Sequence, residues 1–323
     1  MSIMGCSCQC PILYIEMLLG SSLASLIGKN RAINAPATRI AINRKSDLAL
    51  RYCFISYLAR LITTFICFYI TTIHYINMVV ALPSFVSLRK VSKKYDSFYA
   101  LRSVSFDVRQ NEILGIIGPN GAGKTTTLKI ISGIIYPSSG SCFVNGLNTV
   151  ENNIEVKRLV GYLPEEDFLY GDMTAYEHLK FTAELYDIKA NDNMIKRVLN
   201  LVELENSKKL IRNMSKGQRR RVAIANTLIH NPELVIFDEL TTGLDPLLSK
   251  KMLEIVKSLK AQGKTVIFST HIIGEAAQLC DKILFIDKGE IVAVGNSKQI
   301  MRKAKARNLK QAFFKLVGGS HGK

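Results

Sequence analysis

From Phe85 onward the chain alternates short apolar runs with Gly, Pro, Asn and charged residues, and helical stretches fall between them. That punctuation predicts an α/β domain. Glu112 to Ile117 (EILGII) reads as a strand, and the turn after it leads into a helix over Thr126 to Ser132. Leu234 to Phe237 (LVIF) is a buried-strand run, and a further strand (TVIF) precedes Ser269. Between the first and last of these strands, Tyr176 to Tyr186 and Met194 to Val202 space their apolar residues as amphipathic helices do.

No comparable period appears before about Pro83, so residues 1–84 are left unassigned. Leu61 to Leu82 has no Lys, Arg, Asp or Glu and is long enough to cross a hydrocarbon core of about 30 Å. A membrane anchor is one reading of it. Its many Thr and β-branched residues, His74, Asn77 and the lack of a spacer before the next strand count against that reading. The favoured reading is that translation begins near Met78 and that the upstream residues are an extension without selected structure. A secretory signal is not expected, because the apolar run after Pro11 contains Glu16 and no basic residue precedes it.

Charge is informative only when it is divided by region. The 323 residues carry a formal charge of +17, which invites a nucleic-acid partner. Residues 1–84 account for +5 and the acid-free stretch 298–323 for +8, which leaves the body between them only mildly basic. No nucleic-acid partner is therefore expected, and the basic stretch, set apart as a tail over 301–323, reads as a solvated helical end. Seven cysteines, with only Cys142 and Cys280 after residue 84, form no spaced disulfide framework and point to a reducing compartment.

The candidate chemistry begins in the turn after the first strand. Gly118, Pro119, Asn120, Gly121, Ala122, Gly123, Lys124 and Thr125 fit G-x-x-x-x-G-K-[ST], with Thr126 continuing into the helix. Small residues let successive backbone N–H groups converge on phosphate oxygens, and the helix N-terminus adds partial positive charge. Lys124 can then reach the β- and γ-phosphates, and the Thr125 hydroxyl can ligate Mg²⁺. Asp238 and Glu239 follow the LVIF strand at its C-terminal edge, where open α/β sheets bind ligands. Asp238 suits a Mg²⁺ ligand, directly or through water, and Glu239 suits a general base for an attacking water.

With these parts in place, residues 85–300 resemble the ATPase subunit of ABC transporters. Met214, Ser215, Lys216, Gly217 and Gln218 match the family's Leu-Ser-Gly-Gly-Gln signature at three of five positions, and a basic helical run from Arg219 to Leu228 follows. Leu240 to Pro246 (LTTGLDP) is similar to the D-loop segment, with Asp245 in its aspartate position. His271 stands where the family's switch histidine meets the γ-phosphate, and Tyr95 matches the aromatic that stacks on adenine. Gly161 to Glu165 match the Q-loop region, with Glu165 in place of the more usual Gln and in reach of Mg²⁺. Lys216 is a second departure, a cation in place of a small residue.

The resemblance implies a P-loop NTPase fold with a RecA-like core, an N-terminal antiparallel β subdomain and a helical subdomain inserted at about 167–225. It also implies ATP and Mg²⁺ at each site and a homodimer or paired ATPase subunit in which one chain's phosphate loop faces the other's signature. Lys124, Glu239 and His271 would carry hydrolysis, and Ser215, Gly217, Gln218 and Asp245 would complete the nucleotide site. A separate transmembrane permease, of the ABC-2 exporter type, would be the partner, and the chain would sit peripherally on the cytoplasmic face of the cell membrane. The rival classes are a soluble ABC protein acting on nucleic acid or ribosomes and a P-loop kinase or GTPase. A single cassette without an inserted arm argues against the first, and the block from Met214 to Gln218 against the second.

Overall fold

Five strands with almost continuous apolar sequence must be covered on both faces, and the fold supplies layers on each side of them. The computed structural model describes residues 62–64, 69, 84–204, 208–242 and 244–317. Of the apolar stretch 61–82, only residues 62–64 and 69 are among these, so the anchor and extension readings lie almost wholly outside the described residues. Among the described residues no helix is long and apolar enough to cross a membrane.

Strands β3 (Ile113–Ile117), β6 (Val160–Leu163), β7 (Leu234–Phe237), β8 (Thr265–Thr270), β9 (Lys282–Asp287) and β10 (Glu290–Gly295) form one sheet in the order β10-β9-β3-β8-β7-β6. All neighbours in it are parallel except the β9–β10 pair. Side-chain alternation sorts the strand residues between two cores. Leu114, Ile116, Leu234, Ile236, Ile267, Leu284 and Ile286 point to one face. There they meet helix α1 (Lys124–Ile131), helix α2 (Asn153–Leu159) and a four-stranded antiparallel sheet, β2-β1-β4-β5. That sheet comprises β1 (Val86–Tyr95), β2 (Phe98–Val108), β4 (Ser139–Val144) and the short β5 (Leu147–Asn148).

Ile113, Val235, Phe237, Val266 and Phe268 point the other way, into a core built with four helices. These are α3 (Ala175–Leu185), α4 (Asp192–Leu201), α5 (Lys216–Leu228) and α6 (Pro246–Ala261). Local chemistry marks where each begins. Thr174 and Glu177 form a capping box on α3, Ser215 and Gln218 form one on α5, and Asn191 and Asp245 cap α4 and α6. The predicted boundaries of α3 and α4 differ from these by one or two residues, and α5 starts three residues before the predicted helical run at Arg219. Helix α1 starts two residues earlier than the sequence suggests, at Lys124, because Gly123 takes a left-handed φ of 105° and turns the chain directly into it.

The basic C-terminal stretch is not a free tail as far as Val317. Helix α7 (Ile273–Leu279), α8 (Ser297–Lys303) and α9 (Leu309–Val317) share a third core with Ile117, Ile283 and Phe285. Leu309, Ala312 and Val317 are buried, and Phe313 meets Phe285 edge to face at 5.2 Å. A helical apolar period inside the charged segment outweighs its net charge.

Gly161 in β6 sits so close to α5 that a Cβ there would lie 2.4 Å from the Thr227 carbonyl oxygen and 2.9 Å from Pro232 Cγ. Gly161→Ala should therefore cost about 1–3 kcal/mol through overpacking. A lower urea midpoint at constant m would report it, and an unshifted midpoint would show that β6 and α5 part freely.

Candidate functional site

The loop between β3 and α1 lies over the C-terminal end of the parallel sheet, and its glycines are demanded by contact as well as by conformation. A Cβ on Gly123 would stand 2.7 Å from the Ala100 carbonyl oxygen, at a φ that side chains rarely adopt. No side chain caps α1, so its first-turn N–H groups are left for an incoming acceptor. Lys124 is 6 % exposed and folds back to donate to the Gly118 carbonyl at 2.9 Å and the Pro119 carbonyl at 3.3 Å. Its ammonium also lies 3.2 Å from Glu239 Oε1.

Glu239 is the hub of the site. Its Oε2 accepts from the Thr242 hydroxyl at 2.8 Å and lies 2.9 Å from His271 Nδ1. Burial alone would raise the Glu239 pKa. The Thr242 hydrogen bond, the Lys124 charge and the His271 contact outweigh it and hold the carboxyl below its ordinary value. Asp238 stands one residue earlier and is almost wholly buried. Its Oδ1 accepts from Ser269 Oγ at 2.7 Å and its Oδ2 from the Tyr162 hydroxyl at 3.3 Å. Burial and the neighbouring Asp238 charge keep the Tyr162 phenol protonated, well above its usual pKa.

One cleft of about 430 Å³ gathers most of the sequence-predicted residues. Tyr95, the loop from Pro119 to Thr126, Glu165, Glu239 and His271 all line it. Phe98, Ala100 and Thr242 line it too, although the sequence reading did not single them out. Phe98 had a local signal, since it pairs directly with Tyr95 across the β1–β2 hairpin and so shares its face. Lys93 Nζ lies 5.1 Å from the Tyr95 ring centroid.

Ser215, Gly217, Gln218 and Asp245 lie outside this cleft. Ser215 and Gln218 hydrogen-bond each other's backbone at the start of α5, and Asp245 Oδ1 accepts from Leu248 N at 2.9 Å at the start of α6. Lys216 is exposed and lines a neighbouring cleft with Glu165, Glu166, Asp167, Arg219, Arg220 and Thr242.

Three further side chains organise the site from behind. Ser269 Oγ accepts from the Glu239 N–H at 2.9 Å while donating to Asp238. Glu275, buried, accepts from the Thr241 hydroxyl at 2.7 Å and the Thr270 hydroxyl at 2.9 Å. Arg220, 4 % exposed, reaches from α5 to backbone carbonyls beside both Glu165 and Glu239. Its sequence signal was its register, because Arg220 precedes the buried Ala223, Ile224 and Thr227 at helical spacing.

The arrangement can neutralise polyphosphate charge at the loop and orient a water against a carboxylate. Its oxygen donors, the Thr125 hydroxyl and the Asp238 and Glu165 carboxylates, are the kind that suit a hard divalent cation. Among the described residues no cluster of three His, Cys, Asp or Glu side chains forms an all-protein metal cage.

Because its pKa is depressed in the fold, Glu239 stabilises the protein fully above its unfolded-state pKa and loses that contribution as pH falls through its folded-state value. Glu239→Gln cannot titrate, so it should lose less stability across that acid interval than the parent. Urea unfolding at stepped pH measures this, and equal losses would remove the Glu239 network as a source of acid sensitivity.

The ABC transporter family model matches residues 101–242. NatA, an ABC transporter ATP-binding protein of Bacillus subtilis (strain 168), is 37% identical over 72% of this chain and 96% of its own length. The Nod factor export ATP-binding protein I of Cupriavidus pinatubonensis (strain JMP 134 / LMG 1197) is 35% identical over 68% of this chain and 69% of its own. A dimeric ATP-binding cassette, solved in a post-hydrolysis state with ADP and Pi bound, superposes with a TM-score of 0.61. It is 28% identical to this chain and covers 65% of it and 98% of the cassette. Loop, carboxylates and layered sheet thus agree with kinship over most of the chain, which belongs to the ATP-binding proteins of ABC transporters, the subunits that hydrolyse ATP to drive transport.

Proposed function

We propose that the cleft lined by Tyr95 and the glycine-rich loop binds Mg·ATP and that two such chains close head to tail to hydrolyse it, powering a separate exporter permease of the ABC-2 type. The observation that carries this reading is the convergence of Lys124, Glu239 and His271 in a cleft that Tyr95 and the glycine-rich loop also line. Adenine would stack on Tyr95, and the phosphates would take the N–H groups of the loop and the uncapped turn of α1. Thr125, Asp238 and Glu165 are the candidate Mg²⁺ ligands, Asp238 directly or through water. A bound Mg²⁺ would withdraw charge from the β- and γ-phosphate oxygens.

In the structure Lys124 pairs with Glu239. A triphosphate offers that ammonium a stronger partner, which frees Glu239 to accept a proton from water. The water oxygen then bonds to the γ-phosphorus as the bond to the ADP oxygen breaks, and Lys124 offsets the charge left on ADP. His271, in contact with Glu239, would donate to the γ-phosphate. Exposed Ser215 and the half-buried Gly217 and Gln218 open α5, where a partner's γ-phosphate would join them, with Asp245 at the same dimer interface. The ATP bridge would hold the dimer closed, and hydrolysis would release it.

The helical subdomain, about 167–225, would pass this motion to the permease and so keep the chain peripheral at the cytoplasmic face of the cell membrane. Glu165 and the Ser-Lys-Gly signature support the ABC-2 assignment, as does a relative named for Nod factor export. Glu239→Gln should retain Mg·ATP binding, slow turnover by about 100-fold or more, and accumulate an ATP-bound dimer. Steady-state ATPase assays with size-exclusion chromatography test this, and a parent-like rate would remove Glu239 as the base.

A further inference from the structure

Glu239 adopts a left-handed backbone, φ 51°, which its Cβ makes unfavourable. Such a conformation persists only where the surroundings hold it. Two groups grip its peptides. Ser269 Oγ takes the Glu239 N–H, and Arg220 Nη2 donates to the Glu239 carbonyl at 3.2 Å and to the Asp238 carbonyl at 3.3 Å. The other arm of the same guanidinium donates to the carbonyls of Pro164 at 2.9 Å and Glu165 at 3.1 Å, and to Asp167 Oδ1 at 2.8 Å. A planar fork fixes the separation of the two groups it bridges, which a single ammonium cannot do.

We infer that Arg220 is a positioning residue for hydrolysis, holding the left-handed Glu239 backbone so that its carboxylate stays aimed at the reacting water. The inference rests on the proposed role of Glu239 as base. Relaxation of that backbone toward a common conformation redirects the Cα–Cβ bond. The carboxylate then leaves Lys124 and His271, which now stand 3.2 and 2.9 Å from it. Arg220 also belongs to the helix that Ser215 opens, so the base takes its alignment from that helix and from the loop bearing Glu165. The Asp167 carboxylate compensates the buried charge, and the guanidinium's other hydrogen bonds go to the carbonyls of Pro164, Glu165, Asp238 and Glu239.

A double-mutant cycle separates positioning from mere stabilisation. Turnover and Mg·ATP affinity are measured for Arg220→Gln and Arg220→Lys, each in the parent and in Glu239→Gln. Arg220→Gln should lower kcat by about tenfold or more, with ATP affinity within roughly twofold of the parent. In the Glu239→Gln background the same change should alter the residual rate by less than roughly twofold, because the group being positioned is gone. Arg220→Lys, which keeps the charge opposite Asp167, should fall between the parent and Arg220→Gln, and it carries the cycle alone if the glutamine variant does not fold. Parent-like kcat in both variants overturns the inference, as does an equal loss in both backgrounds. A Glu239→Gln protein that hydrolyses ATP at the parent rate overturns the role of Glu239 itself, and this inference with it.

Discussion

The structure turns on a buried ion pair, the ammonium of Lys124 against the carboxylate of Glu239. Neither charge has enough water to be stable alone, and removing one partner of such a pair typically costs about 3–5 kcal/mol. The pair also measures a distance. Lys124 begins the helix after β3, Glu239 follows β7, and β8 runs between those strands. The lysine–glutamate contact therefore spans the middle of the sheet, and the residues that close it from beneath, Ser269 and His271, come from the end of β8.

This economy follows from parallel strands. Their C-terminal ends open on one side, so each crossover delivers its first loop residues to the same rim. Continuous apolar sequence is the cost of that layout, because both faces must be covered. Here the antiparallel sheet and α1 cover one face, while α5 and α6 cover much of the other. Some covering elements also reach the rim: β1 and β2 bring Tyr95 and Phe98, α1 brings Lys124, and α5 brings Arg220.

Strands β3 and β7 and the loop residues Gly118 to Thr125 were legible in the sequence because their signals are local. A run of apolar β-branched residues and a glycine-rich turn need no knowledge of what lies across the fold. The helices at Ala175 and Asp192 were legible by period, within a residue or two at their ends. Arg220 was not, since its register with Ala223, Ile224 and Thr227 is easily outweighed by the basic run around it, and its carbonyl partners lie 18 to 56 residues away. Glu275 escaped for the same reason. The C-terminal segment misled by averaging, for net charge hides the helical spacing that buries Leu309 and Ala312 and half-buries Phe313 and Leu316.

Glu275 gives the rim one more property. By accepting from Thr241 and Thr270 together, it stitches the chain leaving β7 to the end of β8, and Thr270 Oγ1 also takes the Ile272 N–H at 3.0 Å. The main chain around His271 is thus tied down on both sides, while the imidazole itself is half exposed. The cheapest movement at this corner is a turn about side-chain bonds, on the picosecond to nanosecond scale of exposed rotamers. A latch of that kind resets without disturbing the sheet it hangs from.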